Sequence, residues 1–141
     1  MSKSKEPLAP LVHGPNGDLV SLRRAPANVT SLPMAPKELE PELRRGSWIV
    51  FNFPVWSVPD RRHIPEVMRL AKRLGRSVRF GIRPYDSEAE FASWCPGAPT
   101  GPMSPIWVVL ENGRLVDSVV GYLGAPGVAD HLQPPQLREA L

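Results

Sequence analysis

The chain has 141 residues, of which 42% are hydrophobic and 22% charged, and its formal net charge is +3 at pH 7. These fractions are typical of one globular domain followed or preceded by a tail. Its single cysteine, Cys95, excludes an internal disulfide and a metal site made of cysteines alone.

Residues 1–35 are predicted to form a proline-rich N-terminal arm that is partly irregular. Prolines recur there among few large apolar residues, a composition typical of a tail and an irregular lead-in. The turn sequence Gly14–Gly17 predicts a short edge strand over residues 18–22. Met1–Glu6 contains lysines with no apolar run behind them, so we expect no secretory signal, no membrane contact and a cytoplasmic location.

Residues 36–141 are predicted to form one domain. Leucines spaced four apart indicate a short helix over residues 36–45. The apolar run at 48–53 is too short for a helix and predicts a buried central strand. Residues 59–74 place their apolar side chains on one helical face, which predicts an amphipathic helix ended by Gly75.

The second half of this domain is predicted from alternation and turn residues. Its elements are, in order, a strand over 77–82, a helix over 87–92 with Ser87 as N-cap, strands over 106–110 and 115–120, and a helix over 127–141. Asn112-Gly113 between the last two strands predicts a hairpin with a type I′ turn, because both central residues of that turn need positive φ.

This order of elements resembles that of the thioredoxin-like superfamily, and four landmarks make the resemblance specific. They are Trp56-Ser57-Val58-Pro59-Asp60 at the family's Trp-Cys-X-Pro-Cys motif, Pro65 at its helix kink, Ser104-Pro105 at its cis-proline, and Asn112-Gly113 with Gly121 at its hairpin. The resemblance covers about residues 48–132. It implies an α/β fold with a central mixed sheet flanked by helices on both faces.

Residues 17–46 also resemble the lead-in of the secreted thiol-disulfide reductase branch of the family. Such relatives exchange dithiols for disulfides, which requires one thiolate to attack and a second thiol to resolve the mixed intermediate. Here Ser57 and Asp60 replace both cysteines. The family's buried carboxylate falls on Phe51 or Asn52, neither of which titrates near neutral pH. We therefore expect a redox-inactive protein with no catalytic residue and no cofactor.

The leading functional prediction is a groove that binds a protein segment at the former reaction centre. The family holds extended peptides beside its tryptophan, through strand-like bonding at the residue before cis-proline. The predicted groove residues are Trp56, Ser57, Val58, Pro59, Asp60, Ser104 and Pro105. Ser57 and Asp60 also have the spacing of a capping box, so they either start the helix or contact a ligand directly.

Two alternative functions remain open from the sequence. Cys95 could act alone as a redox thiol, or be a half-buried apolar side chain. The Arg61–Arg83 segment could present a basic face to an anion, a nucleic acid or an acidic protein through Arg61, Arg62, Arg69, Arg73 and Arg76, or be a solvated surface. The histidines show no metal-ligand spacing, so we expect no metal. The partner's identity and the oligomeric state are not predicted.

Overall fold

The structure is a computed structural model that describes residues 25–32 and 38–132. The edge strand predicted at 18–22 and residues 133–141 of the predicted terminal helix lie outside the described residues. Within the described residues, five strands form one mixed sheet in the order β1-β3-β2-β4-β5. These strands are β1 (Val29–Ser31), β2 (Ser47–Pro54), β3 (Arg79–Tyr85), β4 (Ile106–Glu111) and β5 (Arg114–Val120).

The central strand β2 is buried along its whole length, as the apolar run at 48–53 predicts. It pairs in parallel with β3 and antiparallel with β4. Because side chains alternate along a strand, Ile49 and Phe51 enter one apolar cluster while Trp48 and Val50 enter the other. The sheet therefore separates two cores, each of which needs helices to cover it.

One face is covered by α2 (Ile64–Leu74) and α4 (Val128–His131), and the short helix α1 (Val58–Arg62) precedes α2. The helix predicted over 59–74 is present as α1 and α2, and its interruption at His63 lies two residues before Pro65, where the resemblance placed a helix kink. Pro65 lies in the first turn of α2. Backbone N–H groups in that turn have no partner within the helix, so the N–H that proline lacks costs no hydrogen bond. The new helix can therefore begin there.

The other face is covered by α3 (Glu88–Trp94), whose Phe91 and Trp94 are buried. Ser87 caps this helix by accepting a hydrogen bond from the Glu90 amide at 3.1 Å, as predicted. The helix predicted at 36–45 is wrong in extent, because residues 38–40 are not helical and only Pro41–Arg44 form a 3₁₀ turn. Glu40 is extended because the residue before a proline disfavours helical backbone angles.

The hairpin between β4 and β5 confirms the prediction from Asn112-Gly113. Both residues have positive φ, 52° and 84°, which the type I′ turn requires. The Asn112 side chain also accepts a hydrogen bond from the Gly46 amide at 2.9 Å. This bond fixes the hairpin tip against the start of β2.

Strand β1 has no predicted counterpart at 29–31. It pairs in parallel with β3 at one edge of the sheet. Its position is fixed by Asn28, whose Nδ2 amide lies 2.8–3.0 Å from the carbonyl oxygens of Ala71, Gly75 and Val78. These carbonyls belong to the end of α2 and the approach to β3, so one side chain ties three segments together.

We predict that Asn28→Ala lowers the free energy of unfolding by about 1–3 kcal/mol, because carbonyls at the end of α2 lose their donor. Urea unfolding followed by circular dichroism measures this loss. Asn28→Asp is the matched variant, since it keeps the side-chain size but removes the donor, and it should be at least as destabilising. A stable Asn28→Asp protein would show that shape rather than hydrogen bonding fixes β1.

Candidate binding groove

The candidate site lies where β2 and β3 end and the segment before β4 begins. The loop after β2 is held by three hydrogen bonds. The Val55 amide donates to the Tyr85 carbonyl at 2.8 Å, and the Ser57 amide donates to the Pro54 carbonyl at 2.9 Å. The Arg61 guanidinium donates to the Val55 carbonyl. Two main-chain bonds and one side-chain bond therefore fix the loop before any ligand arrives.

Ser57 starts α1, in agreement with half of the capping-box prediction. Its hydroxyl accepts a hydrogen bond from the Asp60 amide at 3.3 Å. The reciprocal half is wrong, because the Ser57 amide bonds to Pro54 and the Asp60 carboxylate bonds elsewhere. A capping box needs the acidic side chain to accept the amide of the N-cap residue, whereas the Asp60 carboxylate is buried and bonds to Tyr122.

Asp60 is only 1% exposed, although it stands in the helix turn that borders the groove. Its Oδ1 accepts a hydrogen bond from the Tyr122 hydroxyl, while its Oδ2 has no hydrogen-bond partner among the described residues. Burial, together with the hydrogen bond to Asp60 and its charge, raises the pKa of Tyr122 to about 12. No local pattern signals this pair, whose members lie 62 residues apart.

His63, which is half-buried, contacts the same tyrosine and the loop after β5. Its Nε2 accepts a hydrogen bond from the Leu123 amide at 3.1 Å, which places the ring proton on Nδ1. Its ring packs edge-on against Tyr122, with centroids 4.9 Å apart. Burial lowers the pKa of His63 against the opposing charges of Glu66 and Asp60, so the ring is neutral near pH 7.

The groove itself is an open cavity of about 730 Å³. Five of the residues named from the sequence line it: Trp56, Ser57, Val58, Pro59 and Ser104. Asp60 and Pro105, which are both buried, do not line it. Trp56 is 62% exposed, so its ring offers apolar surface to the solvent beside the groove.

The far wall of the groove comes from residues that the sequence did not indicate. They are the end of β3 and the start of α3, namely Tyr85, Asp86, Ser87 and Glu88, with Gly101 and Pro102 from the segment before β4. Since β3 runs parallel to β2, its end meets the Trp56 loop. Burial is the main cause that raises the pKa of Tyr85 to about 12, with the charges of Asp60 and Glu88 adding to it.

Ser104 brings main-chain groups to the groove. The Ser104–Pro105 peptide bond is cis, and the Pro105 carbonyl accepts a hydrogen bond from the Gly121 amide at 3.0 Å. Within residues 25–32 and 38–132, the amide and carbonyl of Ser104 form no hydrogen bond. Ser104 is partly exposed, so an extended segment in the groove could pair with these groups.

The proposed basic face is smaller than the sequence indicates, because Arg83 does not belong to it. Arg83 is fully buried, forms an ion pair with Glu90 and lies over the Trp94 ring at 4.2 Å from its centroid. Its position on β3 turns it toward the core under α3. Arg61 is bonded to the loop after β2. The exposed cations of this segment are therefore Arg62, Arg69, Lys72, Arg73, Arg76 and Arg79.

Some of these cations border a second cavity. Arg69, Lys72 and Arg73 line a depression of about 630 Å³ with Leu123 and Gly124. Arg69 also forms an exposed ion pair with Glu66, which partly neutralises the depression. The depression lies on α2 and the loop after β5, outside the groove that holds Trp56.

Cys95 follows α3 and is 3% exposed. Burial raises the pKa of its thiol to about 11, an effect that the nearby Arg83 charge only partly opposes. The side chain packs with Phe91 and Trp94 in the core under α3. The thiol therefore stays protonated and shielded near neutral pH.

The described part of the chain contains neither a candidate metal site nor a helix that could span a membrane. Residues 25–32 and 38–132 bring together no three His, Cys, Asp or Glu side chains that could hold a metal ion. None of the helices in these same residues combines the length and apolar character that crossing a bilayer requires.

We predict that the folded chain keeps both of its tyrosines un-ionised far above pH 10. Absorbance at 295 nm should show only about a few per cent tyrosinate at pH 10.5, where an unperturbed tyrosine is mostly ionised. Because each folded pKa exceeds its unfolded value, the stability from these groups is complete below about pH 10 and declines as pH rises toward about 12. Half-ionisation near pH 10 in the folded protein would contradict the hydrogen bond from the Tyr122 hydroxyl to the buried Asp60 carboxylate.

We predict that Cys95 reacts with a maleimide at pH 7.5 at least about tenfold more slowly than free cysteine, since it is buried and protonated. Mass spectrometry of labelled protein over time measures the rate. In concentrated urea the rate should rise to that of free cysteine. Rapid labelling of the folded chain would instead place the thiol at the surface.

The comparisons with known proteins agree with this architecture. No protein-family model and no curated protein matches the sequence. Thioredoxin f from spinach chloroplast, in its short form, superposes with a TM-score of 0.51 at 18% identity, covering 67% of this chain and 81% of that one. A structure on the thiol resolving mechanism in yeast mitochondrial 1-Cys peroxiredoxin superposes with a TM-score of 0.50 at 16% identity. The match covers 82% of this chain and 98% of that one. The chain therefore has the thioredoxin-like fold, with a mixed five-stranded sheet between two layers of helices.

Proposed function

We propose that this chain is a redox-inactive thioredoxin-like module that binds an extended polypeptide segment in the groove beside Trp56. One observation carries the proposal. The groove places a largely exposed tryptophan next to a residue, Ser104, whose main-chain amide and carbonyl have no partner within the described residues. Apolar area and free backbone groups together suit a polypeptide in an extended conformation.

The two features contribute to binding in different ways. Hydrogen bonds from the Ser104 main chain would add the segment as a short strand and give affinity for any sequence. The Trp56 ring would bury apolar area against one side chain of the segment and so select among sequences. Aromatic side chains of this kind dominate the binding energy of protein interfaces.

The groove is formed before binding, which favours affinity. The bonds from Val55 to Tyr85, from Ser57 to Pro54 and from Arg61 to Val55 already hold its loop. A ligand would then order few groups of the protein, and less free energy would be lost on binding.

The absence of dithiol chemistry follows from the residues at the former motif. Ser57 and Asp60 carry no sulfur, and the chain has no second cysteine to pair with Cys95. The Ser57 hydroxyl accepts a hydrogen bond from the Asp60 amide, and the Asp60 carboxylate accepts one from the Tyr122 hydroxyl. Both side chains therefore support the start of α1.

The two other functions considered from the sequence have less support. A one-cysteine redox role needs an accessible thiolate, whereas Cys95 is buried and its pKa is raised. An anion-binding role would rest on a basic face that does not include Arg83, because Arg83 is buried and paired with Glu90. The proposal includes a protein partner and a cytoplasmic location for the complex.

We predict that Trp56→Ala weakens binding to peptides selected from a displayed random library by at least about tenfold, because the exposed ring is the main apolar contact. Fluorescence anisotropy of labelled synthetic peptides measures the dissociation constant. The control is Val116→Ala, which truncates another exposed apolar side chain on β5, outside the groove. It should leave binding unchanged.

Two results would contradict the proposal. One is a failure of the library to yield any peptide whose binding depends on Trp56. The other is catalytic reduction of insulin disulfides by the wild-type chain that disappears in Cys95→Ala, which would show thiol chemistry in place of simple binding.

A further inference from the structure

We infer that the segment bound in this groove is basic, carrying lysine or arginine close to an apolar residue. This inference rests on the proposed function, because it names the partner chemistry of the same groove. It comes from the charges on the groove wall opposite the Trp56 loop. An extended segment could bind without these charges, so they carry separate information about the partner.

Two carboxylates line that wall. Asp86 follows β3, Glu88 is the first residue of α3, and both side chains are exposed. Neither forms an ion pair or a side-chain hydrogen bond in the described part of the chain. No lysine, arginine or histidine lies among the residues that line the groove. The groove is therefore acidic on one wall, and no cation of its own lining neutralises it.

The acidic residue Glu90, close to Asp86 and Glu88, is not exposed to the groove in the same way. Glu90 lies two residues after Glu88 on α3, yet it turns inward and pairs with the buried Arg83. Its charge is thereby neutralised inside the protein. The charges of Asp86 and Glu88 instead point to the solvent-filled side of the groove, where a cationic side chain of a partner could reach them.

The apolar part of the groove completes the recognition chemistry. Trp56 and the prolines Pro54, Pro59 and Pro102 line the same cavity. Met103, which follows Pro102, is 67% exposed. One bound segment would therefore meet apolar and acidic surface together, so the occupant combines apolar and basic residues within a few positions.

The charge of the whole chain works against a basic partner, and this makes the local carboxylates decisive. A net charge of +3 repels a cationic segment at long range. Binding of a basic segment then depends on short-range pairs with Asp86 and Glu88. These pairs discriminate between sequences more than they accelerate association.

The test uses the full chain and capped random dodecapeptides. Sequences enriched in a Trp56-dependent manner are expected to contain more lysine and arginine than the starting library. Each chosen peptide is then made in three forms, with its basic residues kept, changed to glutamine, or changed to glutamate. The glutamine form should bind about three- to tenfold more weakly at about 50 mM salt, and the difference should shrink at about 0.5 M salt because salt screens exposed pairs.

Matched variants assign this preference to the groove wall. Asp86→Asn with Glu88→Gln should bind the basic and glutamine forms equally, and Asp86→Lys with Glu88→Lys should prefer the glutamate form. The control is Glu42→Gln with Asp130→Asn, at exposed positions outside the groove. It changes the net charge as much as Asp86→Asn with Glu88→Gln does, and it should keep the wild-type preference. Thermal unfolding of each variant verifies that α3 remains folded.

The outcomes separate this inference from the function on which it rests. If peptides bind in a Trp56-dependent manner but show no basic enrichment, or if the Asp86/Glu88 variants keep the preference, the inference is overturned and the groove function stands. If the library yields no peptide and the chain instead self-associates through Trp56, a second copy is the occupant and both proposals fall.

Discussion

The pairing of β2 with β3 on one side and β4 on the other is the constraint on which the rest of this structure depends. Parallel pairing brings the ends of β2 and β3 to one edge, and antiparallel pairing brings the start of β4 to the same edge. The Trp56 loop, the Asp86–Glu88 segment and Ser104 consequently meet there. A groove forms from three segments that are far apart in the chain because the sheet aligns them.

The loop after β2 and the start of α1 keep their shape through interactions that need no sulfur. Ser57 supplies the cap of α1, worth about 1 kcal/mol, and Asp60 turns inward to Tyr122. A buried carboxylate is unfavourable without donors, and the Tyr122 hydroxyl supplies one. His63 packs against the same tyrosine and accepts a hydrogen bond from the Leu123 amide. These contacts hold the loop after β5 against the start of α2.

Charge is distributed unevenly around this scaffold. Arg83 lies inside the protein, where Glu90 balances it and Trp94 stacks on it; the Trp94 indole in turn donates to Glu40 at 2.8 Å. This buried group joins β3, α3 and the approach to the first 3₁₀ turn. The exposed cations of α1 and α2 lie apart from the acidic wall of the groove. The two surfaces therefore differ in charge.

The sequence by itself determined the features that depend on neighbouring residues. The apolar run at 48–53 marks the central strand, Asn112-Gly113 marks the hairpin, and Ser87 marks the start of α3, because strand burial, turn geometry and helix capping are local effects. The resemblance also placed Trp56 and Ser104 at one site. Only the tertiary structure decided the burial of Arg83 and Asp60, the position of β1 and the acidic wall, since each depends on contacts between distant segments.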